Sequence, residues 1–267
     1  MNAARIVSNH MKYIIGNWKM NLGVRESVAL ARASLLLLRG KKIAPQMVLC
    51  PSTIALSEVR KVVARSGVGL GAQNVAVEDQ GAFTGEISAR MLSEVGVTHV
   101  IIGHSERRHL FGETDELING KIQKALEYNL IPILCVGETQ EERENGQAKK
   151  VVTHQIVTAL KNVRPKFSET FFIAYEPVWA IGTGETPTTQ EIVEMHTHIQ
   201  SVLGEIFPTA PSSAFAILYG GSVNGENAYA FLRESCVDGL LVGGASVKIH
   251  QLKDIVEAAC KVLIAQA

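Results

Sequence analysis

The sequence holds little cysteine, no long apolar run and no excess charge of either sign. Its 267 residues include four cysteines, at positions 50, 135, 236 and 260, with no C-x-x-C pair among them. That scatter excludes a disulfide framework or a structural zinc site as the organising principle of the fold. Cys50 and Cys135 lie in apolar, strand-like runs, which reads as reduced, buried thiols in a cytoplasmic protein. Apolar runs such as Leu35 to Leu38 fall far short of the ~20 residues that span a bilayer, so no membrane partner is expected. The first eleven residues carry Arg5 but no apolar h-region, so they are expected to be a loose extension rather than a secretory signal. Lys plus Arg and Asp plus Glu number 26 each. No global field therefore recruits nucleic acid, and an anionic ligand must be held by local groups. His196 and His198 lie two apart on a helical pattern and do not share a face, so no metal site is expected.

What is present is alternation, on a hydrophobic content of 46% that can fill a sizeable core. Short β-rich runs and amphipathic stretches follow one another about eight times. The strand candidates are Tyr13–Gly16, Met47–Cys50, Gly69–Ala72, His99–Ile102, Ile131–Val136, Thr170–Tyr175, Ala214–Tyr219 and Gly239–Val242. Helical patterning fills intervals such as Arg25–Arg39, Thr114–Tyr128, Gln147–Lys161, Thr189–Ile206 and Gly225–Arg233. Each unit averages roughly 30 residues, the length of a strand plus a crossover helix. Regular βα alternation implies a parallel sheet with right-handed crossovers. Eight units without a long linker favour closure into a single (β/α)8 barrel over an open sheet. The expected organisation is an extension over residues 1–11 and one barrel domain over residues 12–267.

Such a barrel builds its site from the loops that follow the C-terminal strand ends, and the unusual residues of this chain fall there. Asn17 and Lys19 follow the first strand, His104 the fourth, Glu176 the sixth, Gly220-Gly221-Ser222 the seventh and Gly243-Gly244 the eighth. Lys19, flanked by Asn17, Trp18 and Met20, reads as a partly buried ammonium that needs an anionic partner. His104 precedes a helix start at Ser105, a position that favours neutral imidazole. The two glycine pairs, with the Ser222 hydroxyl and a short helix after Gly244, are suited to holding a phosphate. Glu176 opens an eleven-residue segment that Pro177 stiffens, that carries an apolar body from Val178 to Ile181, and that closes on Gly182 and Gly184. That is the composition of a lid over a working carboxylate. Two familiar motifs fail on inspection. Arg107 stands where a nucleophile elbow around Ser105 would need glycine, and Gly69-Leu70-Gly71 lacks the third glycine of a dinucleotide fingerprint.

Taken together, Asn17-Trp18-Lys19-Met20-Asn21, Gly103-His104-Ser105-Glu106-Arg107-Arg108, Ala174 to Gly184, Tyr219-Gly220-Gly221-Ser222-Val223 and Leu241-Val242-Gly243-Gly244-Ala245 resemble the triosephosphate isomerase family. The resemblance runs from about Lys12 to the C-terminus in the family's order. It implies a TIM barrel, without metal or cofactor, that interconverts dihydroxyacetone phosphate and D-glyceraldehyde 3-phosphate through an enediolate, in glycolysis and gluconeogenesis. Glu176 is then the base and His104 the neutral imidazole that polarises the carbonyl and moves protons between the oxygens. Lys19 and Asn17 stabilise developing charge, while Gly182, Ser222, Gly243 and Gly244 hold the phosphate. Glu106 is the supporting carboxylate beside the lysine and histidine. The Gly81–Glu86 loop resembles the family's dimer loop. This implies a homodimer with Phe83, Thr84 and Glu86 in the contact, and Glu86 paired with Arg107 of the partner subunit. The chain departs from the family at the lid's far hinge, where it has Glu185-Thr186-Pro187. Two other readings are a sugar-phosphate barrel aldolase, which wants a lysine where Glu176 stands, and a non-catalytic triose-phosphate-binding barrel, which has no need of Lys19, His104 and Glu176 together.

Overall fold

Eight parallel strands close on themselves in sequence order: β1 (Tyr13–Asn17), β2 (Gln46–Cys50), β3 (Gly69–Ala72), β4 (His99–Ile102), β5 (Ile131–Val136), β6 (Phe171–Tyr175), β7 (Phe215–Tyr219) and β8 (Gly239–Val242). Pairing of Ile14 with Leu240 and of Ile14 with Met47 joins the last strand to the first and the first to the second. The computed structural model describes residues 11–165, 170–181 and 186–267. The helices of the outer ring are α1 (Val24–Leu38), α2 (Leu56–Val63), α3 (Ala89–Val95), α4 (Ser105–Phe111), α5 (Asp115–Glu127), α6 (Gln140–Glu144), α7 (Ala148–Ala159), α8 (Thr189–Ile206), α9 (Ala228–Leu232) and α10 (Ile249–Gln266). The barrel expected from alternation is therefore the fold observed. Residues 1–10 of the expected extension lie outside the described residues.

Successive strand residues point to opposite faces, and both faces here are apolar, as a parallel sheet covered by helices requires. Ile15, Val48, Ile101, Ile133, Cys135, Phe172, Leu218 and Leu241 fill the barrel interior. Their neighbours Ile14, Leu49, Val100, Ile102, Leu134, Ile173, Ile217 and Leu240 face the helices. At the N-terminal end of the barrel, Tyr13 packs edge-on against Phe172 with ring centroids 4.8 Å apart, and His99 lies 5.8 Å from the same ring. This packed interior leaves the chemistry to the opposite mouth.

Local chemistry explains where the helices begin and end. α8 spans the residues expected for it, because Thr188 accepts from Glu191 N while the Glu191 carboxylate accepts from Thr188 N at 2.7 Å. This reciprocal capping box starts directly after Pro187, the last residue of the unusual hinge. α9 is shorter than the Gly225–Arg233 pattern. Asn224 Oδ1 accepts from Glu226 N and Asn227 N, so a side-chain turn occupies the positions where the helix would have begun. All four cysteines are free, and Cys50, Cys135 and Cys260 are buried. Among the described residues no helix is long and apolar enough to cross a membrane.

Candidate active site

Strand order decides which side chains meet. The C-terminal ends of β1, β4, β6, β7 and β8 surround a cavity of about 450 Å³ lined by Asn17, Lys19, His104, Glu176, Gly220, Ser222, Gly243 and Gly244. Every described residue assigned to catalysis or substrate binding from sequence reaches this one space. Gly182 lies outside the described residues. Glu106 lines an adjoining cavity that shares Asn17, Lys19 and His104 with the first.

Lys19 sits at the mouth in a left-handed backbone conformation, φ 49°, which costs a side-chain-bearing residue of order 1 kcal/mol. Three contacts hold it there. Asn17 Oδ1 accepts from its N–H at 3.1 Å, while Gln73 Nε2 donates both to its carbonyl at 2.8 Å and to Cys50 O at 2.9 Å. The ammonium reaches Glu106 at 2.5 Å, so the anionic partner expected for Lys19 is supplied by the chain itself. Gly243 makes room for this arm, because a Cβ there would lie 3.3 Å from Lys19 Cε.

His104 is the N-cap of α4, its Nδ1 accepting from Glu106 N at 3.2 Å. An imidazole whose Nδ1 accepts carries its proton on Nε2. That Nε2 lies 3.2 Å from Glu176 Oε1. The other carboxylate oxygen, Oε2, accepts from Ser105 N at 3.0 Å, at the positive end of the same short helix. Glu176 is anchored by its own N–H to Val136 O at 2.7 Å and is 1% exposed, although its carboxylate borders the cavity. Beneath it, burial first and the charge of Glu176 second push the Cys135 thiol well above its ordinary range, so it stays protonated.

Gly220 and Gly221 allow close approach at the end of β7. A Cβ on Gly220 would fall 2.8 Å from Glu176 Cγ, and one on Gly221 would fall 2.2 Å from Tyr219 Oη. The Ser222 hydroxyl, expected to face a phosphate, donates to Ala180 O at 2.5 Å in this structure. The short helix expected after Gly244 is a 3₁₀ turn, Gly244–Val247, pinned by Ser246 Oγ donating to Gly243 O at 2.7 Å.

Two groups of residues escaped sequence reasoning. Glu138 is fully buried and gathers the residues on either side of Glu176. Its Oε1 accepts from Tyr175 Oη at 3.1 Å and Trp179 Nε1 at 2.9 Å, and its carbonyl accepts from Val178 N at 3.0 Å. Arg143 lies 4.5 Å above the Trp179 ring and 3.5 Å from the Glu138 carboxylate. Burial, then the Glu138 charge, raise the Tyr175 phenol far above its ordinary value. The second group is Glu113, Lys121 and Asn74. Lys121 donates to the Glu113 carboxylate and to Asn74 Oδ1 at 2.7 Å, while Arg107 Nε donates to the same carboxylate oxygen at 2.5 Å. Nothing in the local sequence marks either carboxylate as buried. Among the described residues no set of three His, Cys, Asp or Glu side chains could hold a metal ion.

Comparison with known proteins gives this geometry its family. The sequence profile described as triosephosphate isomerase matches residues 12–259. The chain belongs to the triosephosphate isomerase family. Triosephosphate isomerase of Alkaliphilus metalliredigens is 46% identical over 243 residues, 91% of this chain and 97% of the relative. That of Rhodopirellula baltica is 44% identical, covering 92% and 96% respectively. The crystal structure of triosephosphate isomerase from Bartonella henselae superposes with a TM-score of 0.83 at 36% identity, over 92% of this chain and 98% of that one. As a member of the triosephosphate isomerase family, the chain is an intramolecular aldose–ketose isomerase of glycolysis. The aldolase alternative also fails on position, since the group at the end of β6 is Glu176 rather than a lysine.

Proposed function

We propose that the chain interconverts dihydroxyacetone phosphate and D-glyceraldehyde 3-phosphate with Glu176 as the base and His104 as the electrophile. The observation that carries this reading is the 3.2 Å approach of His104 Nε2 to Glu176 Oε1 at the edge of a cavity that also contains Lys19. A proton beside a carbonyl is weakly acidic, so a carboxylate removes it only where the enediolate is stabilised as it forms. Glu176 takes the proton from one carbon and returns it to its neighbour. The Nε2–H of His104 donates to the carbonyl oxygen, and Lys19 with Asn17 adds charge and a donor on the same side. Positioned acid–base groups contribute about 10²–10⁴-fold, and preorganised donors at the developing oxyanion supply much of the rest. Gly243, Gly244 and Ser222 hold the phosphate, with Gly182 completing the site from the lid. For that, the Ser222 hydroxyl must exchange Ala180 O for a phosphate oxygen. Glu106 fixes the Lys19 ammonium between turnovers. These steps need no metal, nicotinamide or Schiff base.

Glu176→Asp draws the carboxylate back by about one C–C bond, ~1.5 Å. A misplacement of about 1 Å costs on the order of 10²-fold, so kcat should fall at least a hundredfold while KM changes little. A variant as fast as wild type in the coupled assay with glyceraldehyde 3-phosphate would remove Glu176 from the mechanism.

The same reading makes the enzyme a cytoplasmic homodimer. Its four free thiols suit a reducing compartment. Phe111, 67% exposed, lines the second cavity with Lys19, Gln73, Glu86 and Arg107, and Phe83, 48% exposed, stands on the loop that leads to Glu86. Such apolar exposure around a catalytic lysine suits insertion of another copy's Phe83-Thr84 loop. Arg107, held through Nε by Glu113, keeps its outer nitrogens for the partner's Glu86. Sedimentation equilibrium at micromolar protein should return twice the chain mass; a monomer would refute the assembly.

A further inference from the structure

A second concavity of the described chain lies away from the catalytic mouth. It is a groove of about 990 Å³ between α1 and α2, bounded by Pro45 and Gln46 at the start of β2 and by Val68 just before β3. It lies at the N-terminal ends of the strands, opposite the catalytic mouth, so nothing in the isomerisation uses it. Val28, Arg32, Leu35 and Leu36 line it from α1 at spacings of four, seven and eight residues, one helical stripe, and Arg39 follows from the extended residue that ends the helix. Leu36 is 63% exposed. Val62 of α2 completes an aliphatic floor.

The rim is cationic. Arg32, Arg39, Lys41 and Lys42 line the groove, and among the described residues none of them has a carboxylate oxygen within ion-pair distance. The carboxylate that lines it, Glu58, is taken by Lys61 at 2.5 Å. In a chain whose acidic and basic residues balance at 26 each, four unpaired cations on one apolar groove are a local field with a counterpart elsewhere.

Spacing selects the counterpart. Arg32 sits two turns before the end of α1, and Arg39 leaves that end in extended backbone, so their Cα atoms are about 10 Å apart along the groove, too far for one phosphate or carboxylate to engage both. No aromatic side chain lines the groove to stack a base, which disfavours nucleic acid. An aliphatic floor flanked by separated cations is complementary to an aliphatic stripe flanked by separated acids. We propose that this groove docks an acidic amphipathic helix of a partner protein, about three turns long, with leucine-type anchors on Leu35 and Leu36 and carboxylates on Arg32, Arg39, Lys41 and Lys42.

The test is fluorescence anisotropy with a labelled synthetic helix carrying leucines at i, i+4 and i+7 and glutamates beside them. The wild-type protein should bind it saturably, in the micromolar range, with affinity falling as salt rises. Arg32→Glu/Arg39→Glu should weaken binding at least tenfold and leave isomerase turnover unchanged, which also reports that the variant is folded. Lys41→Ala/Lys42→Ala, in the loop after α1, gives a second variant without helix substitutions and should weaken binding severalfold. Equal binding of the same residues in scrambled order would overturn the proposal. So would equal binding of a peptide with lysine for every glutamate, unchanged affinity in both variants, or saturation by dodecanoate with no binding of the helix.

Discussion

Two glycines test how tightly the position of Glu176 is built. A Cβ on Gly220 would lie 2.8 Å from Glu176 Cγ, where ordinary contact begins at 3.4 Å. The backbone nearby need give only slightly, since the next atom, Tyr175 O at 3.3 Å, is just inside that limit. Gly220→Ala should therefore displace the Glu176 side chain by about 0.6 Å. At roughly 10² in rate per ångström this predicts a fall in kcat of about tenfold, or ~1.4 kcal/mol. KM should hold, because the groups assigned to the phosphate are not moved. Gly137→Ala makes the contrasting perturbation, for a Cβ there would lie 1.8 Å from Glu176 O, a backbone atom. The strand end itself must then shift, straining the Glu176 N–H to Val136 O bond of 2.7 Å. The expected outcome is a stability loss at or beyond the ~1–3 kcal/mol of ordinary overpacking, together with a larger fall in kcat. Steady-state kinetics and urea unfolding on both variants separate the two effects. Wild-type kcat in Gly220→Ala would show that the carboxylate tolerates displacement and would refute the argument from packing.

Other substitutions reach further from the mouth. The buried imidazole of His196 is pushed down from 6.5 to about 4, chiefly by burial, with the Lys12 charge acting the same way and the hydrogen bond to Cys236 O opposing it. The unfolded chain therefore binds the extra proton between these values. His196 costs nothing above pH 6.5, and stability is lost as pH falls toward 4, by roughly 3 kcal/mol. His196→Gln should flatten the urea midpoint across that window relative to wild type; an unchanged slope would assign the loss to other groups. Lys121→Met leaves the Glu113 carboxylate buried with Arg107 alone and should cost ~3 kcal/mol in urea unfolding, much of it recovered in Lys121→Met/Glu113→Gln. Gln73→Leu removes the donor to Lys19 O and should lower kcat about tenfold, with a stability loss of only ~1–3 kcal/mol. A stability loss without a kinetic one would confine Gln73 to a structural role.

The barrel was legible because its signal repeats. Buried parallel strands must be apolar on both faces, so runs such as Ile131–Val136 stand out; that strand keeps its boundaries in the structure, while β1, β2, β6 and β7 differ from the expected runs by one residue at one end. The catalytic mouth was legible for a topological reason: closing eight parallel strands gathers all their C-terminal ends, so Lys19, His104 and Glu176 needed no pairwise contact information to be brought together. What stayed hidden were pairs joined only by the fold. Lys12 is buried and donates to Val237 O at 2.6 Å across 225 residues, yet at the start of a strand it reads as an exposed charge. Glu113 and Lys121 are eight apart, but Glu113 precedes the Thr114 cap of α5, so no helix carries both on one face.

Glu138 shows the same limit at the place where it matters most. In sequence it follows a strand and precedes the capping residue Thr139, which is the pattern of a solvated loop acid. In the structure it receives the hydroxyl of Tyr175, the residue before Glu176, and the indole N–H of Trp179, three residues beyond Glu176. A single carboxylate thereby ties the strand that carries Glu176 to the root of the segment that follows. Arg143, stacked on Trp179 and reaching Glu191 of the α8 capping box, continues the tie toward the far side of that segment. The apolar tryptophan that looked like lid cargo is thus a strut. It fixes Val178–Ala180 to the loop after β5, and so holds the chain that leaves Glu176.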